Sequence, residues 1–137
     1  GSDFSIKNFY DNLYKTFSIN LRYKFIYMNY SQIVLNDADL NAYFIQNSKK
    51  RKKLLFTILN QLIENEYFES KDILAENDRL ADIINMIAIY WVPEAAIYHA
   101  DKTDDAIIKH HLRLIFMQFN PYLTKKGREE MKEIGLG

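Results

Sequence analysis

A chain of 137 residues is long enough for one folded domain, and its 48% hydrophobic and 26% charged composition excludes the disordered and collagen-like classes. Eighteen basic side chains balance eighteen acidic ones, so net charge does not draw the domain onto nucleic acid or an anionic membrane. The absence of cysteine excludes disulfides and thiolate sites and favours a cytoplasmic location. We expect a single domain over residues 3–135.

The first two predicted helices are long and amphipathic. Apolar residues recur at three- and four-residue steps from Ile6 to Met28, which predicts a helix over about residues 5–34 with a break near 18–20. Residues 36–39 then supply a stop and a new N-cap, because short polar side chains accept hydrogen bonds from the free N–H groups of a starting helix. The second helix runs to about Phe68 and carries Leu55 and Leu59 on its apolar stripe.

The third and fourth predicted helices lie at about residues 79–99 and 105–119, beyond the polar stretch 69–78. Both are apolar around most of their circumference, so each must be covered from two directions. One cover is the domain's own core, and we expect a second copy of the chain to supply the other, giving a homodimer. The residues expected at this interface are Met86, Ile89, Tyr90, Pro93, Ile97, Ile107, Leu114 and Met117. A last short helix, capped by Thr124, should run to about residue 134.

Signatures of enzymes, cofactors and membrane spans are missing from the sequence. Phosphate-binding loops need clustered glycines, but Gly127 is the one glycine between positions 2 and 134. The common hydrolase and zinc-enzyme motifs are absent, and no His–carboxylate couple that would mark a catalytic cleft can be identified. The longest uncharged run, residues 83–93, is shorter than the ~20 apolar residues that a membrane span needs. We therefore expect no enzymatic activity, no cofactor and no membrane insertion.

The histidines do not suggest a metal site at this stage. Neighbouring residues on a helix diverge by roughly 100°, so His110 and His111 should not grip one ion from the same face. His99 precedes Asp101, Asp104 and Asp105, which could supply oxygen ligands. The favoured interpretation is a solvated connector with a helix-capping aspartate, and no metal site.

A small set of residues is predicted to line a ligand pocket. The basic run 49–53 wraps a whole helical turn and is interpreted as solvated surface, except that Arg51 falls on the apolar stripe. Arg51 therefore either pairs with a carboxylate on a neighbouring helix, which is the favoured interpretation, or anchors an anionic ligand head. Pro93 should kink the third helix and place Trp91 on the pocket wall. The predicted pocket residues are Phe25, Met28, Asn29, Arg51, Leu55, Leu59, Ile87 and Trp91.

Three stretches carry a resemblance to a known family. They are FYDNLYKTFSINLRYKFIYMNYSQIVLNDADL at 9–40, RKKLLFTILNQLIENEYFE at 51–69 and NPYLTKKGREEM at 120–131. Together they resemble the C-terminal domain of a branch of TetR-type bacterial regulators, and the closing Pro-Tyr-Leu-Thr with Gly127-Arg128 is the most specific part. Two positions depart from the family: Glu66 stands where glycine is usual, and Pro93 where a small or hydrophobic residue is usual.

The resemblance implies an all-α helical bundle that binds an effector and dimerises, with the last two long helices of each subunit forming a four-helix contact. Family members carry an N-terminal helix-turn-helix head that enters the DNA major groove. No part of this sequence resembles that head, so we expect DNA binding only through an N-terminal domain absent from it. The predicted function is that a small apolar or amphipathic effector shifts the dimer, and with it the DNA affinity of a transcriptional repressor. The alternative is a structural dimerisation module without a ligand.

Overall fold

The computed structural model describes residues 3–137, apart from the side chains of residues 71 and 72, and these residues form eight α-helices and no strand. The helices are α1 (Ile6–Arg22), α2 (Lys24–Met28), α3 (Tyr30–Leu35), α4 (Ala38–Glu64), α5 (Ser70–Ala75), α6 (Asn77–Tyr98), α7 (Asp104–Met117) and α8 (Lys125–Glu133). A 3-10 turn, Asn120–Tyr122, joins α7 to α8. The predicted all-α class is confirmed.

The long first helix predicted from the sequence is divided into α1, α2 and α3. The breaks fall at Tyr23 and Asn29 rather than near 18–20. Helix α1 passes through Asn20, whose buried side chain bonds to the Tyr27 and Trp91 side chains as well as to the Thr16 carbonyl one turn earlier. At Asn29 the side-chain amide donates to the Phe25 carbonyl at 2.8 Å, which is the kind of competition that ends a helix.

Capping explains where the later helices start. Asp37 accepts hydrogen bonds from the N–H groups of Asp39 and Leu40, both at 3.0 Å, and so begins α4 as predicted. Thr124 caps α8 as predicted, accepting from the Gly127 N–H at 3.0 Å. The predicted aspartate cap before α7 is wrong: Thr103 accepts from the Ala106 N–H at 3.2 Å. The polar stretch 69–78, which precedes the third predicted helix, contains α5 and the start of α6.

The core lies at one end of the bundle, where α1 packs along α7 and α8 and α6 packs against α4 and α7. Helices α2 and α3, all of whose side chains the structure describes, contain no fully buried residue, and the first buried residue of α4 is Leu55. The largest fully buried side chains are Trp91, Phe17, Phe116, Phe119, Ile6, Leu59, Leu62, Ile73, Leu80, Leu112, Ile115 and Met131. The opposite end of the bundle therefore contributes few fully buried side chains.

The end of α4 and the start of α8 are joined by backbone hydrogen bonds. After the C-cap Asn65, Glu66 adopts a left-handed conformation with φ 66°, the Glu66 N–H donates to Ile63 O at 2.9 Å, and the Tyr67 N–H donates to Leu62 O at 2.9 Å. This is a Schellman motif, a helix ending in which glycine is the usual left-handed residue. The Thr124 N–H then donates to Tyr67 O at 3.1 Å. We call this contact, residues 65–68 with 122–128, the α4–α8 junction.

Helix α6 is long and apolar enough, by length and composition alone, to cross a membrane. The uncharged run 83–93 is too short to predict a membrane span. The 18-residue window that meets the criterion is longer, has a mean hydropathy of 1.4 and can include a small number of charged residues. One such helix is weak support for a membrane span, since the core helix of a soluble protein meets the same criterion. In this fold α6 contributes Leu80, Ile84 and Trp91 to the core.

Candidate functional site

A cavity of about 210 Å³ lies between α1, α4 and α6. Its walls are almost entirely apolar. Ala81 and Ala88 on α6 leave room between the larger side chains because they present only a methyl group. The lining residues are Phe9, Leu13, Thr16, Phe17, Arg51, Lys52, Leu54, Leu55, Ile58, Ala81, Ile84, Asn85 and Ala88. The cavity can accept a small apolar group without rearrangement of the core.

Arg51 supplies positive charge at the edge of this cavity. Its Nε donates to Asn85 Oδ1 at 3.2 Å, and Asn85 Nδ2 donates to Ser48 Oγ at 3.3 Å. Among the side chains that the structure describes, no carboxylate forms an ion pair with Arg51. The favoured sequence interpretation, an ion pair with an acidic residue on another helix, is therefore not what these side chains show, and an uncharged amide takes that place.

A second, smaller cavity of about 100 Å³ shares Thr16, Arg51 and Ala88 with the first. Its walls are more polar and include Tyr27 and Tyr30. Burial raises the pKa of both tyrosines, and the positive charge of Arg51 opposes that increase. Their phenol groups are thus neutral hydrogen-bonding groups at neutral pH, on the far side of Arg51 from the apolar cavity.

Trp91 lies in the core behind the cavity. Its ring stacks on Phe17, a cavity-lining residue, with ring centroids 4.8 Å apart. With the Asn20 amide oriented by its hydrogen-bond network, Asn20 Oδ1 accepts from Trp91 Nε1 at 3.2 Å. The Asn20 amide nitrogen donates to Tyr27 Oη at 2.9 Å and to Thr16 O at 3.1 Å. This buried network connects α1, α2 and α6 around the two cavities.

The structure brings together two of the eight residues predicted for the pocket. Arg51 and Leu55 line the larger cavity. Leu59 and Trp91 are buried in the core and Ile87 packs against it, outside both cavity linings. Phe25 and Met28 are 77% and 41% exposed, because the break at Tyr23 changes the direction of α2 relative to α1. Asn29 caps α3 and lines neither cavity.

The residues predicted for a dimer interface divide into two groups. Met86, Tyr90 and Ile97 of α6 are exposed at helical spacing, and Leu114 and Met117 of α7 are each 42% exposed. Pro93, inside α6, is partly buried. Ile89 and Ile107, by contrast, are buried within their own subunit, with 9% and 8% of their surface exposed. The apolar stripe that lacks a cover within the chain is therefore narrower than the sequence pattern indicates.

The three histidines of the chain lie together. One ligand nitrogen from each of His99, His110 and His111 falls within 4.8 Å of the others. The carboxylate of Glu94 on α6 contacts His99 Nε2 at 3.4 Å and His111 Nε2 through its other oxygen. The divergence expected for His110 and His111 does not keep their rings apart: their centroids are 5.0 Å from each other, and His99 at the end of α6 contacts both.

Protonation in this cluster is shifted by its neighbours. Burial alone would raise the pKa of Glu94, but the hydrogen bond with His111 and the charges of His111 and His99 hold that pKa below its usual value. Burial lowers the pKa of His110, and the nearby His111 and His99 lower it further. The sequence held one signal for this cluster, a glutamate five residues before His99 on a helix that must pack against α7.

Comparison with known proteins places the chain in a family. Residues 1–131 match the family TetR, described as a bacterial transcriptional repressor. No curated protein and no solved structure matches the chain. Because the family match covers nearly the whole sequence, from the first residue of α1 to Met131 of α8, the chain belongs to the TetR family of bacterial transcriptional repressors.

Proposed function

We propose that this chain is the effector-binding and dimerisation domain of a cytoplasmic TetR-type repressor, and that it senses a small amphipathic molecule with an anionic head. The observation that carries the proposal is the apolar cavity between α1, α4 and α6 with Arg51 at its edge. An apolar cavity of about 210 Å³ that opens beside a cation suits an amphipathic occupant.

The class of effector follows from the cavity walls. Phe9, Leu55 and Ile84 favour an aliphatic or aromatic body over a sugar or nucleotide, because a polar ligand would lose hydrogen bonds to water there. The Arg51 guanidinium bonds to a neutral amide and keeps donors free for a carboxylate or similar head. Tyr27 and Tyr30, on the other side of Arg51, can donate further hydrogen bonds to that head.

The partner we propose is a second copy of the chain, seated on α6 and α7. Ile97 is 69% exposed and Met86 is 61% exposed, and Leu114 and Met117 continue the apolar surface on the neighbouring helix. Exposed apolar residues that recur along two adjacent helices are typical of an interface between subunits. Because α6 also lines the effector cavity, an occupant that prefers one position of α6 would shift the arrangement of the two subunits.

Binding of octanoate and of 1-octanol tests the effector class. We expect calorimetry to show octanoate binding more tightly than 1-octanol, and Arg51→Ala to remove this preference while the alcohol still binds. Ala88→Leu, which fills the space that both cavities share, should weaken both ligands. The exposed Lys53, two residues from Arg51, provides the matched control, and Lys53→Ala should leave both affinities unchanged.

Failure of both probes to bind, or binding that Ala88→Leu leaves unaltered, would contradict an effector site in this cavity. If the chain were then still a dimer, the structural dimerisation module would be the better description. Native mass spectrometry of the protein as purified from its host gives a second readout. A retained small molecule, lost in Ala88→Leu, would support the proposed site.

Sedimentation velocity at micromolar concentration tests the dimer separately. We expect a dimer that Ile97→Glu combined with Leu114→Glu converts to a monomer, because two buried carboxylates without partners oppose association. Phe25→Glu on α2 is the control, since Phe25 is more exposed than Ile97 or Leu114 and belongs to neither α6 nor α7. A monomeric wild type, or dissociation by Phe25→Glu alone, would overturn this choice of interface.

A further inference from the structure

All three histidines of this chain meet at one corner of the fold, where α6 ends and α7 passes beside it. We propose that His99, His110 and His111 form a binding site for a divalent transition-metal ion, Zn²⁺ foremost, with Glu94 supplying negative charge beside it. The cavity, Arg51 and the family membership take no part in this argument, so the site stands or falls independently of the effector proposal.

The first support is the distance between ligand atoms. The three imidazole nitrogens lie within 4.8 Å of one another, and the ring centroids of His99 and His110 are 4.6 Å apart. Two nitrogens bound to a tetrahedral Zn²⁺ at its usual bond length are roughly 3.4 Å apart. A movement of about 1 Å in the His99 and His110 side chains therefore closes the site. Rotation about side-chain torsions alone can supply that movement, because His110 is exposed.

The second support is the hydrogen bonding of His111. Its Nδ1 lies 2.7 Å from the Ile107 carbonyl oxygen, which can only accept, so Nδ1 carries a hydrogen and donates it. The Nε2 lone pair of the neutral ring then faces the Glu94 carboxylate. Two electron pairs do not approach each other in this way without a cation between or beside them. A metal ion at this point would be held by the Nε2 lone pair and the carboxylate together.

The same hydrogen bond is the one that metal-binding histidines usually make. An imidazole that ligates a metal through one nitrogen normally donates its other N–H to a backbone carbonyl or a carboxylate, which orients the ring. His111 is held in this way before any ion binds, with 3% of its side chain exposed. Its ring is thus fixed, and the more exposed His110 and His99 supply the adjustable part of the site.

The donor set indicates which metals fit. Three imidazoles and a carboxylate suit Zn²⁺, Ni²⁺ or Cu²⁺ and do not suit Mg²⁺ or Ca²⁺, which prefer oxygen ligands alone. Glu94 reaches His99 with one carboxylate oxygen and His111 with the other, so it lies where it would offset the charge of the ion. A bound ion would connect the last turn of α6 to the middle of α7, beside the exposed Ile97 and Leu114.

The experiment uses the whole chain, treated with chelator and then titrated with Zn²⁺ by calorimetry and with Co²⁺ by visible absorption. We expect one ion per chain and the intense absorption of four-coordinate Co²⁺. His110→Ala and His99→Ala should each weaken Zn²⁺ at least about tenfold and reduce the Co²⁺ absorption. Both residues are outside the core, so these variants should keep the wild-type circular dichroism spectrum.

Two further variants make the result specific. Glu94→Gln should weaken Zn²⁺ while leaving the three nitrogens in place. The matched control is Asp101→Asn, which removes a carboxylate from the same connector but lies outside the histidine cluster, and it should bind Zn²⁺ like the wild type. Absence of Zn²⁺ binding at millimolar concentration, or equal binding by wild type and His110→Ala, would overturn the site. The cluster would then be a set of histidine–carboxylate contacts only.

Discussion

A Cβ atom added to Gly127 would lie 2.2 Å from the Tyr67 carbonyl oxygen, closer than any two such atoms can approach. Gly127 is in the first turn of α8 and Tyr67 follows the end of α4, so this close approach is what allows the α4–α8 junction to form. Thr124 caps α8 and also donates its hydroxyl hydrogen to the Glu66 carbonyl at 2.6 Å. Arg128 Nη1 donates to Leu123 O at 2.9 Å. The most specific part of the family resemblance thus forms a structural contact.

Replacing Gly127 should destabilise the fold strongly. The obstructing atom belongs to the backbone, which cannot swing aside as a side chain can, so we expect Gly127→Ala to lower the free energy of unfolding by about 2–3 kcal/mol. Urea unfolding followed by circular dichroism measures the change. Lys125→Ala, at an exposed position in the same turn, is the control and should stay within about 0.5 kcal/mol of the wild type. Equal free energies of unfolding for Gly127→Ala and Lys125→Ala would show that the α4–α8 junction can separate without a loss of stability.

Replacing Glu66 with glycine should have the opposite effect on the free energy of unfolding. The left-handed conformation destabilises a residue that has a Cβ atom by about 1–2 kcal/mol. Glycine avoids this strain, but it lowers stability by about 0.5–1 kcal/mol because its unfolded chain has more conformational freedom. We therefore expect Glu66→Gly to raise the free energy of unfolding by about 0.5–1 kcal/mol. Glu66→Ala keeps the Cβ atom and should bring no such gain. A gain of equal size in Glu66→Ala would mean that the carboxylate, and not the φ angle of 66°, is the cause.

The end of α8 supplies a comparison for Glu66. Gly135 has φ 83°, and the Leu136 N–H donates to Met131 O at 2.8 Å, so α8 ends in the same motif with the usual glycine. Gly135→Ala should therefore lower the free energy of unfolding by about 1 kcal/mol. The two substitutions, measured under the same conditions, should have opposite signs.

The hydrogen bond between Asn20 and Trp91 should matter more than the bond between Asn20 and Tyr27. Trp91→Phe leaves the buried Asn20 Oδ1 without its donor, which costs about 1–3 kcal/mol in addition to the lost packing. Tyr27→Phe leaves one of the two Asn20 amide hydrogens without its acceptor, but both residues line the second cavity, where water can replace the hydroxyl, so the cost should stay below about 1 kcal/mol. Circular dichroism must follow the unfolding, because Trp91 is the only tryptophan. A larger loss in Tyr27→Phe would contradict this ranking.

The contact between Tyr14 and Asp105 predicts a pH dependence of stability. The Tyr14 hydroxyl donates to Asp105 Oδ1 at 2.5 Å, which holds the pKa of Asp105 below its ordinary 3.8; this hydrogen bond, with some burial, raises the pKa of Tyr14 above its ordinary 10.0. A lowered carboxyl pKa stabilises the fold above 3.8, and that stability is lost as pH falls through the folded-state value. A raised tyrosine pKa stabilises the fold below 10.0, and that stability is lost as pH rises through the folded-state value.

Tyr14→Phe removes this contact. We expect the variant to be less stable than the wild type at neutral pH, and the difference to shrink both at about pH 3 and above about pH 10. Thermal unfolding across this range is the measurement. Tyr43→Phe, on the exposed face of α4, is the control and should show no such pattern. A difference that stays constant from neutral to acidic pH would show that the hydroxyl acts through packing instead.

Capping and periodicity could be predicted from the sequence because both depend on residues close together in the chain. Asp37 and Thr124 cap the helices that the sequence assigned to them, and the all-α class followed from apolar spacing. The pocket depended on the rotation of one helix relative to another. The break at Tyr23 changed that rotation, so Phe25 and Met28 point to solvent.

The histidine cluster could not be predicted for a related reason. His99 meets His110 and His111 only because a short turn, closed by the Lys102 N–H bonded to His99 O at 3.1 Å, brings α7 back along α6. Angles between neighbours on an ideal helix contain no information about a third residue on another helix. Arg51 lies at the edge of the cavity and is exposed, and whether its partner is Asn85 or a carboxylate depends on the packing of α6 against α4.

The uneven distribution of buried residues affects how a ligand can enter the cavities around Arg51. Helices α2 and α3 have no buried anchor, yet Tyr27 and Tyr30 from them close one side of the space around Arg51. Segments with few apolar contacts open at much lower free energy than the molecule as a whole. A small molecule can therefore enter from solvent when α2 and α3 move away from the bundle, while the aromatic core around Phe116 and Phe119 stays closed.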